Sequence, residues 1–310
     1  MTASLISFLV VFLLSVATVL ASPLANITST TPALSSEAFK RAVSAPYVFT
    51  VFTSASQSNL YVYTSNDGTN FNLLKGPAYT PPTGLIRDPS VILHTDGKYY
   101  ITYTTSSKPA TNFAIASSSD LLNWTLLTTV STASSVITPV NTWAPEFFKD
   151  PKTGKVNIVV SLSTGTSGPF LPYVFTATDS TLKNWSAPTV FSGISNAGLG
   201  YIDTFPVYFN NEYHIFTKAE SNGQKHVEHA VAPSLTGPYK FVQTGNFAGW
   251  GNAEGPCVAT LPNGKFRLYA DGYNSGKYIY SDSSDLYNWS AFQTLPNLSG
   301  TVRHGTVLKQ

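Results

Sequence analysis

The sequence holds a single cysteine, Cys257, among 310 residues, so no disulfide can form within the chain and the fold must rest on burial and hydrogen bonding. Beside Pro256 in a strand-like stretch, Cys257 reads as a small buried apolar residue; no histidine is placed in sequence to make it a nucleophile. Charge is scarce too. Asp, Glu, Lys and Arg make up 11% of the chain, the net charge is +2, and Lys and Arg form no run. That removes the electrostatic footprint of a nucleic-acid or anionic-membrane partner, and neither is expected. The Ser-rich stretches lack a G-x-S-x-G elbow, and Asp and Asn are nowhere spaced as in a calcium-binding loop. What the chain has in quantity is apolar side chains, 43% of the total, with aromatics alone at 13%. Those suffice for a large core in one unit, and a monomer is expected.

One long apolar run exists, residues 4–21, SLISFLVVFLLSVATVLA, followed by small residues. It reads as a secretory signal peptide over 1–21, although no Lys or Arg precedes it. An uncleaved anchor is the competing reading, because a bilayer span takes about 20 apolar residues. Residues 22–45, rich in Ser, Thr, Ala and Pro and containing Lys40-Arg41, are expected to form a mobile arm ahead of a single domain over 46–310. Asn26, Asn123, Asn184, Asn288 and Asn297 each open an N-x-S/T sequon, which suits a secreted, extracellular glycoprotein.

A repeat decides the architecture. Leu60-YVYTSNDGTN-Phe71, Phe113-AIASSSDLLN-Trp124, Val174-FTATDSTLKN-Trp185 and Tyr278-IYSDSSDLYN-Trp289 each run an alternating strand into a polar turn that ends in Asn and an aromatic. A looser copy, Val227-EHAVAPSLTGPY, sits at the right interval. Ahead of the copies recur hairpins such as PSVILHTDGKYYITYTT and FPVYFNNEYHIFTKAE, whose period-two alternation marks half-buried antiparallel strands. Together these give four strands per unit, the signature of propeller blades. Blades begin near 87, 143, 202 and 253. The tail VRHGTVLKQ looks like a first strand and residues 46–75 like strands two to four, so the two ends are expected to share a fifth blade and leave no open edge. The predicted fold is therefore an all-β, five-bladed β-propeller; the competing β-sandwich has no need of complementary ends.

In such a ring the innermost strands line the axis, and their first residues converge at one mouth. Those positions carry Arg87-Asp88-Pro89, Trp143-Ala144-Pro145-Glu146, Tyr201-Ile202-Asp203, Glu254-Gly255-Pro256 and Arg303-His304-Gly305. A carboxylate or imidazole in every blade is costly for stability, since crowded like charges destabilise one another, and function accounts for it better.

The ordered set RDPS, WAPE, IDT, EGP and RHG over residues 46–310 resembles glycoside hydrolase family 43, the group of arabinanases, arabinofuranosidases and β-xylosidases. The resemblance implies Asp88 as general base, Glu254 as general acid and Asp203 as the residue that orients the acid and raises its pKa. It implies an inverting hydrolase of arabinose- or xylose-containing plant cell-wall polysaccharides that requires no cofactor. Thr204 departs from the family, which often has Pro after the third-blade Asp. By the same resemblance His304 could stand near a structural calcium ion in the channel; a bond to neighbouring groups is the competing reading. Arg87 and Arg303 could reach sugar hydroxyls or pair with the carboxylates. Trp143, Trp250, Tyr201 and Phe205 flank the acidic residues and could stack on sugar rings, with core packing as the alternative, the site role being favoured for the two tryptophans. Two other readings stay open: a glycosidase for galactan or galactofuranosides, and a non-catalytic carbohydrate-binding propeller. The fructan branch lacks its N-D-P-N-like motif here. His226 and His229 resemble a metal pair, but three apart on a strand they point to opposite faces.

Overall fold

Among the described residues, runs of β-branched and aromatic residues broken by Gly, Asp and Asn turns fold into twenty strands. The computed structural model describes residues 44–194, 198, 200–220 and 225–310, so the expected signal segment and nearly all of the expected arm lie outside the described residues. The chain enters through β1 (Tyr47–Thr53), β2 (Ser56–Ser65) and β3 (Phe71–Tyr79). Blade one is β4 (Arg87–Leu93), β5 (Tyr99–Thr104), β6 (Asn112–Ser118) and β7 (Thr125–Ser131). Blade two is β8 (Asn141–Lys149), β9 (Val156–Ser163), β10 (Leu171–Thr176) and β11 (Thr189–Val190). Blade three is β12 (Tyr201–Phe209), β13 (Glu212–Ala219), β14 (Val227–Ala232) and β15 (Lys240–Gln243). Blade four is β16 (Glu254–Thr260), β17 (Phe266–Gly272), β18 (Lys277–Ser283) and β19 (Gln293–Thr294). Finally β20 (Val302–Lys309) returns to pair with β1, giving the fifth sheet the order β20-β1-β2-β3.

The five innermost strands, β4, β8, β12, β16 and β20, each contact the next, and β20 contacts β4, so the ring is closed. Between neighbouring blades lie five apolar clusters. Tyr47, Phe49, Tyr269 and Tyr278 join blades five and four; Phe113, Ile158 and Phe175 join blades one and two. Each large apolar side chain buried there contributes about 1.5–3 kcal/mol, so the wedges between sheets hold the ring where no disulfide can. The expected five-bladed propeller is what the structure shows, and its fifth blade is built from both ends of the domain.

The Asn-aromatic signature has a local cause. In the blade-one copy, Asp120 Oδ1 accepts the backbone N–H groups of Leu122 and Asn123, and Asn123 Nδ2 donates to Asp120 Oδ2 at 2.8 Å. Leu121 turns left-handed at φ 63°, and its carbonyl receives the Trp124 indole N–H at 3.1 Å. The same indole bond recurs from Trp185 to Leu182 and from Trp289 to Leu286. Asn123, Asn184 and Asn288, three of the five sequon asparagines, thus spend their side-chain amides on this turn.

Candidate active site

All five inner strands start with the same irregularity. Pairing slips between Arg87 and Ser90, Trp143 and Glu146, Ile202 and Phe205, and Glu254 and Cys257, and β1 slips opposite β20 between Val51 and Thr53. In the first four, one residue inside the bulge is left-handed: Asp88 at φ 51°, Ala144 at 48°, Asp203 at 55° and Gly255 at 58°. For a residue with a Cβ this conformation costs about 1–3 kcal/mol, strain that persists where bulges re-aim side chains beside a site. Gly255 escapes it, and has a second reason to be glycine: a Cβ there would stand 2.3 Å from the His304 ring.

The bulges bring Asp88, Asp203 and Glu254 to a single cavity of about 410 Å³ at one mouth of the channel. His304 Nδ1 lies 3.2 Å from Asp88 Oδ1 and 3.7 Å from Asp203 Oδ2. The other oxygen of Asp88 accepts the Thr104 hydroxyl at 2.7 Å, and Thr104 Oγ1 in turn accepts the Ala144 N–H at 2.8 Å. Asp203 Oδ2 also accepts the Gly255 N–H at 3.1 Å, which places it against the backbone of Glu254. Both oxygens of Glu254 face cations: Oε1 meets Arg303 Nη2 and Oε2 meets Lys218 Nζ, each at 2.9 Å.

Burial and charge act in opposite directions on these groups. Burial raises the Asp88 pKa, but the His304 imidazolium, the Thr104 hydroxyl and Arg87 outweigh it and hold the carboxyl below its ordinary value. Asp203 is pushed up to about 6, by burial and by Glu254 and Asp88, against the pull of His304 and Lys218. Burial works against the charged form of His304, yet Asp203, Asp88 and Glu254 raise it to about 10, so the ring is cationic at neutral pH. One layer down the channel, Glu146 accepts the hydroxyls of Ser90 at 2.6 Å and Thr306 at 2.9 Å, and burial carries it up to about 7.

Of the sequence-predicted residues, Arg87, Asp88, Trp143, Asp203, Glu254, Arg303 and His304 line the cavity. Trp143 stacks on Phe170, ring centroids 4.6 Å apart. Arg303 pairs with Glu254 and Asp271, whereas Arg87 donates from Nε to Gln57. Three expectations need correction. Trp250 is 6% exposed and packs edge-on against Trp289 and Phe247 between blades three and four, so adjacency to Glu254 in sequence does not bring it to the cavity. Tyr201 stacks on Phe241 and donates to Glu228. Phe205, past the bulge, packs into the cluster between blades four and five. His226 and His229 are indeed parted: His226 bonds the Gly251 carbonyl, and His229 is buried against His214 and Gln243.

Sequence reading missed Lys218, Glu220, Lys225, Thr104 and Phe170, all in the cavity wall, and Asp271 behind it. Most come from ends of second strands and from connecting loops, where no repeat marks them. A calcium ion is not a good fit to the described residues. His304 Nδ1 already faces two carboxylates, and no group of three or more His, Cys, Asp or Glu among the described residues is arranged to hold a metal ion. Cys257 is a buried thiol whose sulfur receives the Val307 N–H at 3.1 Å.

A family model described as a probable glycosyl hydrolase domain, related to family 43, matches residues 43–309. No curated protein matches the chain. Among solved structures, the endo-arabinase of Bacteroides thetaiotaomicron VPI-5482 is 12% identical, over 83% of this chain and 88% of that one, with a TM-score of 0.58. The family-43 endo-arabinanase of Bacillus licheniformis is 19% identical over 77% and 89%, TM-score 0.55. An α-L-arabinanase of Cellvibrio cellulosa complexed with arabinohexaose is 16% identical over 76% and 89%, also at 0.55. At such identities the likeness is one of fold, but the family match spans the whole propeller. The chain therefore belongs to the family-43-related glycosyl hydrolases.

Proposed function

We propose that the protein is a secreted, monomeric, inverting glycosidase that cleaves arabinose- or xylose-containing plant cell-wall polysaccharides. The observation that carries the reading is the convergence of Asp88, Asp203 and Glu254 on one cavity, with a cationic imidazole between the two aspartates. In this reading Asp88, held ionised by His304 and Thr104, takes a proton from water as the water oxygen bonds to the anomeric carbon. Glu254 gives its proton to the glycosidic oxygen, which leaves with the electron pair of the broken C–O bond. Asp203 orients Glu254 through the Gly255 amide and sets the charge beside it. Trp143 and Phe170 offer an aromatic wall for a sugar ring, and Arg87 and Arg303 offer donors to hydroxyls.

The substrate class is supported by the arabinan-degrading structures of like fold, and secretion by the apolar run at residues 4–21. The test is product analysis on arabinan, arabinoxylan, xylan and galactan, with anomeric configuration followed by NMR. Inverted arabinose or xylose products are expected; release from galactan alone would move the protein to another sugar, and retained configuration would remove the mechanism. One observation favours a second reading, a sugar-binding propeller without turnover: both Glu254 oxygens are held by cations in the free protein. Calorimetric binding of arabino- or xylo-oligosaccharides with no product release would establish it.

A further inference from the structure

Lys218 is the cation of the site with the least access to water, its side chain 4% exposed, and buried lysines are rare without partners. It lies near the end of β13, and its ammonium is shared between Glu254 Oε2 at 2.9 Å and Glu220 Oε1 at 2.8 Å. Glu220 is pinned from its far side by Lys225 Nζ at 2.6 Å, and the Tyr273 ring lies 4.8 Å from the Lys218 ammonium. On the opposite edge, Arg303 holds Glu254 Oε1 and is itself anchored by Asp271 at 2.6 Å. Glu254 is thus the centre of a chain of alternating charges, Lys225, Glu220, Lys218, Glu254, Arg303 and Asp271, with Asp203 and His304 on its inner side.

We propose that Lys218 is a positioning residue for proton donation, its ammonium set by Glu220 and Lys225 to stabilise the carboxylate that Glu254 becomes as the leaving group departs. The inference rests on the reading of Glu254 as the general acid. When the proton passes to the glycosidic oxygen, negative charge appears on a carboxyl in a half-closed cavity, and a pre-placed cation within hydrogen-bond reach acts where that charge develops, without reorganisation. Stability alone is a weak account of such a network, since replacing whole buried ion pairs by apolar residues of like volume is often neutral.

Leaving groups separate the two roles. A sugar alcohol needs its oxygen protonated as the bond breaks; 4-nitrophenolate does not. Lys218→Met is expected to lower kcat/KM about 30-fold or more on the disaccharide (xylobiose or arabinobiose, whichever the wild type cleaves) and less than about fivefold on the matching 4-nitrophenyl glycoside. Lys218→Arg, which keeps the charge, should recover most of the disaccharide activity, and Glu220→Gln should show a smaller loss of the same selective kind. Equal losses on both substrates would overturn the proposal, as would a selective loss that Arg fails to restore. Should Lys218→Met not fold, Glu220→Gln carries the same comparison with the same refuting result. Glu254→Gln runs alongside: if it cleaves the disaccharide like wild type, the assignment of the acid fails, independently of Lys218.

Discussion

Gly255→Ala should injure stability and turnover together, for reasons that can be separated. An alanine forced to φ 58° costs about 1–2 kcal/mol from the left-handed backbone alone. Its Cβ would also stand 2.3 Å from both Cγ and Cδ2 of His304, so the ring must retreat by about 1 Å to reach ordinary contact. That retreat stretches the Asp88 and Asp203 contacts, now 3.2 and 3.7 Å, and loosens a buried charge cluster. A total of about 2–5 kcal/mol follows, or a melting temperature lower by about 5–15 °C for a domain of this size. Displacing a catalytic group by about 1 Å can slow turnover about 100-fold. Gly264→Ala is the control: it is equally left-handed at φ 80° but has nothing within 4 Å of its Cβ, so it should lose only the backbone part and keep its kcat. Calorimetric melting and steady-state kinetics on both variants decide the matter. If Gly255→Ala matches Gly264→Ala in kcat, the claim that His304 must stay between the aspartates is wrong.

Asp88→Asn should lower kcat by about 100-fold or more and, because it takes a carboxylate from the buried His304 imidazolium, should lower the melting temperature as well; kcat within about threefold of wild type would remove Asp88 as base. Trp250→Ala should cost about 3–5 kcal/mol in urea unfolding yet spare kcat/KM, whereas Trp143→Ala should raise KM about tenfold with little loss of stability; the reverse pattern would contradict the placement of the two rings. His229, buried and bonded to Gln243, is lowered to about 4 by burial, and His214 beside it is lowered too. Because the folded state prefers the neutral rings, stability should be complete above pH 6.5 and fall as pH drops toward 4, by about 3 kcal/mol for His229; replacing it with Asn should flatten that part of the pH–stability curve.

The blades could be read in the sequence because each carries its own local instruction. The Asp120 to Asn123 turn, the indole bond of Trp124 and the hairpin turns are decided within a dozen residues, and repetition makes them visible. The placement of Asp88, Asp203 and Glu254 at one mouth was legible for the same reason, since each lies at an equivalent bulge near the start of an inner strand, whereas the roles expected of them came from the family resemblance. Lys218 was not: its partner Glu254 is 36 residues away and in another blade, and nothing near Lys218 announces the meeting. Trp250, Tyr201 and Phe205 show the converse limit. Nearness in sequence to a site residue does not tell which side of a strand, or of a bulge, a ring will take, and all three turn into the wedges between blades. Thr204 illustrates a substitution the structure absorbs: where Pro follows the left-handed residue in blades one, two and four, its hydroxyl meets that of Thr217 at 2.7 Å and Thr217 bonds the Ile202 carbonyl, pinning the bulge by other means.

Because β20 supplies both Arg303 and His304, the pocket lacks a cation on Glu254 and the imidazole between its aspartates until the strand that closes the ring has left the ribosome. A growing chain carries Asp88, Asp203 and Glu254 before β20 follows, with no imidazolium to hold the aspartates together and with β1 still lacking its neighbour. Assembly of the site's charges and completion of the wheel are thus one event, and a chain cut short before residue 302 is expected to be inert rather than weakened.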